Sequence, residues 1–112
     1  MAILRDLERE HHKHNRPRET KIIDGIAVTF SDMVVYRFRL GDVEDPVLYA
    51  AEPIYKWQQT EAGKFVMANA VEPPWWVRHL DPMDYGYQFA IVARMRESDQ
   101  TFYTLKYVNT GN

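Results

Sequence analysis

Two stretches of alternating residues constrain this chain most. "VVYRFRL", residues 34–40, puts Val34, Tyr36, Phe38 and Leu40 on one face of a strand and Val35, Arg37 and Arg39 on the other. "YQFAIVARM", residues 87–95, sets Tyr87, Phe89, Ile91, Ala93 and Met95 against Gln88, Ala90, Val92 and Arg94. A period of two is the mark of a half-buried strand, so the fold contains β-sheet. The β-branched and aromatic "IAVTF" precedes the first stretch. "TFYTLKY" follows the second, with Tyr103, Leu105 and Tyr107 on one face. The expectation is two hairpins: residues 21–40 turning at "SDM", and residues 87–107 turning at "RESDQ".

Between them the pattern turns helical. Asp45-Pro46 pairs a capping carboxylate with proline at the first helical position. "VLYAAE" makes a short helix up to Pro53, which opens a second one, "IYKWQQTEAGKFVMANAV". There Ile54, Tyr55, Ala62, Phe65, Val66 and Ala70 share a face at helical spacing, which turns Trp57 outward. Gly63 costs about 1 kcal/mol against alanine within such a helix. A rival reading makes residues 55–59 and 64–68 a hairpin around "TEAG"; the wealth of Ala, Lys, Glu, Gln and Met favours the helix. Pro73-Pro74 ends it, and residues 71–85 read as a long aromatic loop. At the N-terminus, Ile3, Leu4 and Leu7 give residues 2–14 the short apolar stripe of a helical arm, ended by "NRPRE".

The sum is an α+β fold. An antiparallel sheet of two β-hairpins carries a central helix on one face, and an N-terminal helical arm of residues 1–20 precedes a single α+β domain of residues 21–112. The 112 residues suit one domain and can bury a core without staples. Cysteine is absent, which removes disulfides, thiolate metal sites and cysteine nucleophiles. A net charge of −2 gives no global attraction to nucleic acid or anionic membranes. No apolar run reaches the roughly 18 residues of a membrane span, and "MAILRDLEREHHKH" lacks the apolar core of a secretory signal. A cytoplasmic protein is expected.

Four constellations could carry chemistry. "EHHKH" puts His11 and His14 on one helix face, as two metal ligands would be, yet histidine also suits the negative end of a helix dipole. No carboxylate motif completes that set, and no metal or other cofactor is expected. "HHKHNRPRETK" is a basic arm; Arg16 and Arg18, with Arg37 and Arg39 of the strand, could contact phosphates. Arg78, His79, Asp81 and Asp84 crowd a short stretch where a histidine near carboxylates could act as a base, but no nucleophile motif or phosphate loop stands with them. The last is "EPPWW". Trp75 and Trp76 cannot point the same way in an extended segment. Either one plugs the core while the other anchors an interface, or both are buried.

The stretches "EDPVLYAAEPIYKWQQTEAGKFVMANAVEPPWW", "DPMDYGYQFAIVARM" and "TFYTLKY" resemble a family of small proteins of marine tailed phages such as cyanophages, over about residues 43–107. The resemblance implies a protein made in an infected bacterial cytoplasm, for host takeover or virion building, and carries no catalytic residues with it.

The expected function is a non-enzymatic module that binds a protein partner through Trp75, Trp76, Arg78, His79 and Tyr85, with Trp57 nearby. The alternatives are a self-associating structural component, or a small nucleic-acid binder using Arg16, Arg18, Arg37 and Arg39.

Overall fold

The computed structural model of the chain describes residues 16–41, 44–80, 83 and 86–108, the side chain of His79 excepted. The helix expected over residues 2–14, and with it His11, His12 and His14, lies outside them, as do Asp81, Asp84 and Tyr85.

In chain order the elements are β1 (Glu19–Ile23), β2 (Ile26–Leu40), α1 (Pro46–Gln59), α2 (Glu61–Asn69), β3 (Trp75–Leu80), β4 (Tyr87–Arg96), α3 (Glu97–Tyr103) and a π-helical turn (Thr104–Val108). The strands form one antiparallel sheet in the order β1-β2-β4-β3. The fold is therefore α+β, with two hairpins joined where β2 meets β4. They are not the two hairpins that the alternation suggested.

The first hairpin turns at Asp24-Gly25, not at "SDM". Asp24 and Gly25 have φ of 52° and 79°. A two-residue turn that follows the twist of its strands needs left-handed backbone at both positions, and Asp-Gly supplies it. β2 then runs straight through Ser31, Asp32 and Met33. The polar pair is tolerated because it is bonded. Asp32 accepts from two arginines, and Gln100 Nε2 donates to Ser31 Oγ at 2.8 Å.

The second hairpin pairs β4 with β3, a strand drawn from the segment read as a loop. The helical region already ends at Asn69, with Ala70 extended, and the prolines at 73 and 74 do not prevent a strand beginning at Trp75. "RESDQ" is no turn: it opens α3, with Glu97 and Asp99 in the first turn, where the helix dipole favours acids. Tyr103 and Tyr107, spaced for one face of a strand, are equally spaced for one face of a helix. They pack around Phe65, with centroids 6.3 Å and 6.0 Å away.

Residues 54–69 are helical, as composition favoured, but the break falls at Thr60 and not at Pro53. Asp45 caps α1 by accepting from the Leu48 N–H at 3.2 Å. Pro53 removes one main-chain donor inside α1. Burial of Pro46, Ala50, Ile54 and Trp57, four or three residues apart, offsets that loss. This phase turns Trp57 inward to 4% exposure, against the expectation that it faces out.

All three helices lie on one side of the sheet. Their core holds Ala50, Ile54, Trp57, Val66 and Tyr103 against Trp76, Phe89, Ile91, Ala93 and Met95. A bulge between Val34 and Tyr36 brings Val35 into the same core, so the alternation expected over residues 34–40 holds only from Tyr36 onward. Tyr103 fastens the bulge by donating its hydroxyl to the Val35 carbonyl at 2.6 Å.

Candidate functional site

β3 sends its two tryptophans to opposite faces of the sheet, and both are buried, Trp75 at 0% and Trp76 at 2% exposure. Neither is the surface anchor considered above. Trp76 enters the helix-side core against Phe89, ring centroids 5.5 Å apart. Trp57 stacks on Tyr36 at 5.7 Å, and the Arg78 guanidinium lies 5.8 Å from the Tyr87 ring centroid. His79 stands opposite Gln88 in the register.

On the opposite face, Trp75 lies under the Arg16 guanidinium, 5.0 Å from the ring centroid. Arg16 grips Asp32 with two donors, Nε to Oδ2 and Nη2 to Oδ1, each at 2.9 Å. Its Nη2 also donates to Glu72 at 2.8 Å. Arg94 Nη1 donates to Asp32 Oδ1 at 2.9 Å and Nη2 to the Pro17 carbonyl at 3.0 Å. Burial of Asp32 works to raise its pKa, but the hydrogen bonds and charges of Arg16 and Arg94 outweigh it and hold the carboxyl below the usual carboxylate range. The same bond to Asp32 raises the pKa of Arg16. Arg18 is likewise engaged, donating to both oxygens of Glu97 at 2.7 Å and 2.9 Å. The two arm arginines considered as phosphate contacts are thus bonded to carboxylates of the domain itself. β1 begins at Glu19, so the sheet reaches back into the segment read as an arm.

Asp32, Glu72 and Arg94 were not singled out by sequence reasoning. The sequence pattern puts Asp32 in a turn at "SDM". Only the placement of Arg94 on the polar side of an otherwise apolar strand signalled a buried partner.

Arg37 and Arg39 lie elsewhere on the sheet. With Phe38 they face Ala90, Gln88 and Phe89 across the β2–β4 register, and these six residues line a cleft of about 310 Å³. Register places Arg37, Arg39, Gln88 and Ala90 on the face away from the helices. Ala90, between Arg37 and Val77, provides the small side chain that leaves the hollow. Phe89 stacks on Phe38 at 5.1 Å and leans on Trp76, so the aromatic core supports the sheet directly behind the cleft. Arg37 is exposed and has no carboxylate partner among the described residues. By register the same face carries Lys21, Arg94 and Arg96 beside Glu19 and Asp32, so cations outnumber carboxylates on it. Among the described residues no helix is long and apolar enough to cross a membrane.

No protein-family model, curated protein or solved structure matches the chain.

Proposed function

We propose that the chain is a non-enzymatic protein-interaction module whose binding face is the arginine-rimmed cleft on the outer side of the sheet. The observation that carries this reading is the pair Arg37 and Arg39 bordering a hollow floored by Ala90. Guanidiniums stay charged at all physiological pH values, so they suit binding a carboxylate better than moving a proton. The fitting partner is an acidic protein segment that puts one apolar side chain into the hollow and carboxylates on the arginines. Trp76 then acts from behind, holding Phe89 in place, and Trp75 holds the Arg16 cover; neither needs to touch the partner. Within the phage resemblance, that partner would be a host protein. The nucleic-acid reading loses ground because Arg16 and Arg18 are already bonded to Glu72, Asp32 and Glu97.

Selection from a displayed random-peptide library tests the reading. The wild-type chain should enrich peptides with Asp or Glu flanking an apolar residue, and the double variant Arg37→Ala, Arg39→Ala should not. Equal enrichment by both proteins would refute it. Tighter binding to a single-stranded oligonucleotide than to any selected peptide would favour nucleic acid instead.

A further inference from the structure

Among the described residues, no strand pairs with the outer edge of β1. The Asp24-Gly25 turn has two residues, which makes Ile23 and Ile26 the hydrogen-bonded pair next to the loop. By alternation, Lys21 and Glu19 also bond toward β2, and the main-chain groups of Thr20 and Ile22 point out from the sheet. β1 ends the strand order, so no described strand receives them. Residues 26–29 of β2 extend beyond the end of β4, whose last partner is Phe30. The hairpin tip therefore projects as a two-stranded ribbon with Ile22 70% and Ile26 66% exposed. An edge of this kind is a template for another strand.

We infer that β1 joins the β1 strand of a second copy, antiparallel, about a two-fold axis through Thr20. Symmetric registers that pair outward main-chain groups centre on Glu19, Thr20, Lys21 or Ile22, and centring on Glu19 sets two glutamates against each other, which is unfavourable. Centring on Lys21 sets two lysines against each other, which is unfavourable. Centring on Ile22 sets Lys21 against the partner's Ile23. Only the register on Thr20 sets Glu19 against the partner's Lys21 and, by symmetry, Lys21 against the partner's Glu19. On the other face it brings exposed Ile22 over the aliphatic stem of the partner's Arg18. It also continues the Thr20–Thr29 hydroxyl contact of 3.0 Å into a row of four threonines. The product is a continuous eight-stranded sheet. The clefts lie far from the axis, because Thr29 and Phe38 are about 30 Å apart along β2 at ~3.3 Å per residue. The dimer would present two clefts at once and strengthen binding to a repeated partner.

The pairing stands independently of what the cleft binds, and mass reads it without any ligand. Light scattering after gel filtration of the full chain should give twice 13.3 kDa at high concentration. Glu19→Lys sets lysines against lysines, and Lys21→Glu sets acids against acids. Each should weaken dimerisation by about tenfold or more, with the circular dichroism of the fold retained. An equimolar mixture of the two variants restores both opposite-charge pairs and should recover the dimer as a heterodimer. A wild-type chain that stays monomeric at millimolar concentration overturns the inference. So do single variants that dimerise as tightly as wild type, or a mixture no more dimeric than its components.

Discussion

Gly63 shows how much one missing methyl can decide. Thr60 sits between α1 and α2, its hydroxyl donating to the Trp57 carbonyl at 2.6 Å and accepting from the Gly63 N–H at 3.0 Å. A Cβ on Gly63 would collide with the Trp57 carbonyl and lie 2.9 Å from Gln58 Cα, both rigid main-chain atoms. Alanine is the better helix former by about 1 kcal/mol, yet Gly63→Ala is expected to lower unfolding free energy by about 2 kcal/mol, within the usual range for overpacking. Urea denaturation checks this, and a gain in stability would show that the junction yields freely. Asp32 is the second decisive residue. Its pKa is lowered on folding, so its stabilising contribution is present above the unfolded value of about 3.9 and is lost as pH falls through the lower folded value. Asp32→Asn should abolish that part of the acid dependence below about pH 4. It should also cost about 3 kcal/mol at neutral pH, because two guanidiniums lose their counter-charge and the new amide NH2 faces the Arg16 Nε–H donor. Unfolding curves from pH 2 to 7 that keep the wild-type shape would exclude this role.

At the scale of elements, the strands were legible where both faces differ in polarity and illegible where local signals compete. "YQFAIVARM" became β4 as read, because no rival period fits it. "TFYTLKY" satisfies periods of two and of four alike, and what decides is contact with Phe65 of α2, which the local pattern does not contain. The Asp24-Gly25 turn was legible in principle, since Asp-Gly between β-branched residues is a strong hairpin signal; "SDM" drew the turn away because its polar residues are ones that turns favour. Gly25→Val forces a branched side chain into left-handed backbone and should cost about 1–2 kcal/mol. Hydrogen exchange should show amides of the β1–β2 ribbon losing protection while those of β2–β4 keep it. Uniform loss across the sheet would mean that the ribbon does not unfold separately. Tyr103→Phe should cost about 1–2 kcal/mol by leaving the buried Val35 carbonyl without its donor, measured by thermal unfolding; no change would mean that the bulge is held by packing alone.

For the whole molecule, the segregation of faces matters most. The helices cover one side of the sheet, and the other side carries the ion network at one end and the arginine cleft at the other. Binding of an acidic peptide in the cleft should weaken severalfold between 50 and 300 mM salt, because exposed arginines are screened. Arg39→Ala should reduce affinity further than any substitution on the helix side, and titration calorimetry at two salt concentrations checks both. Salt-independent binding would mean that the apolar hollow alone holds the partner.

The class of fold, the helical region after Asp45-Pro46 and the central strand β4 have local causes, because cap chemistry and an uncontested period act within a few residues. The strand order, the strand at Trp75–Leu80, the helical residues 97–108 and the ion pairs of Arg16, Arg18 and Arg94 were settled by packing between distant segments. Those depend on partners far apart along the chain: Arg16 with Glu72, Arg18 with Glu97, Asp32 with Arg94, Tyr103 with Val35. The burial of both tryptophans was decided in the same way. Adjacent residues of a strand face opposite sides, and here each side has its own cover.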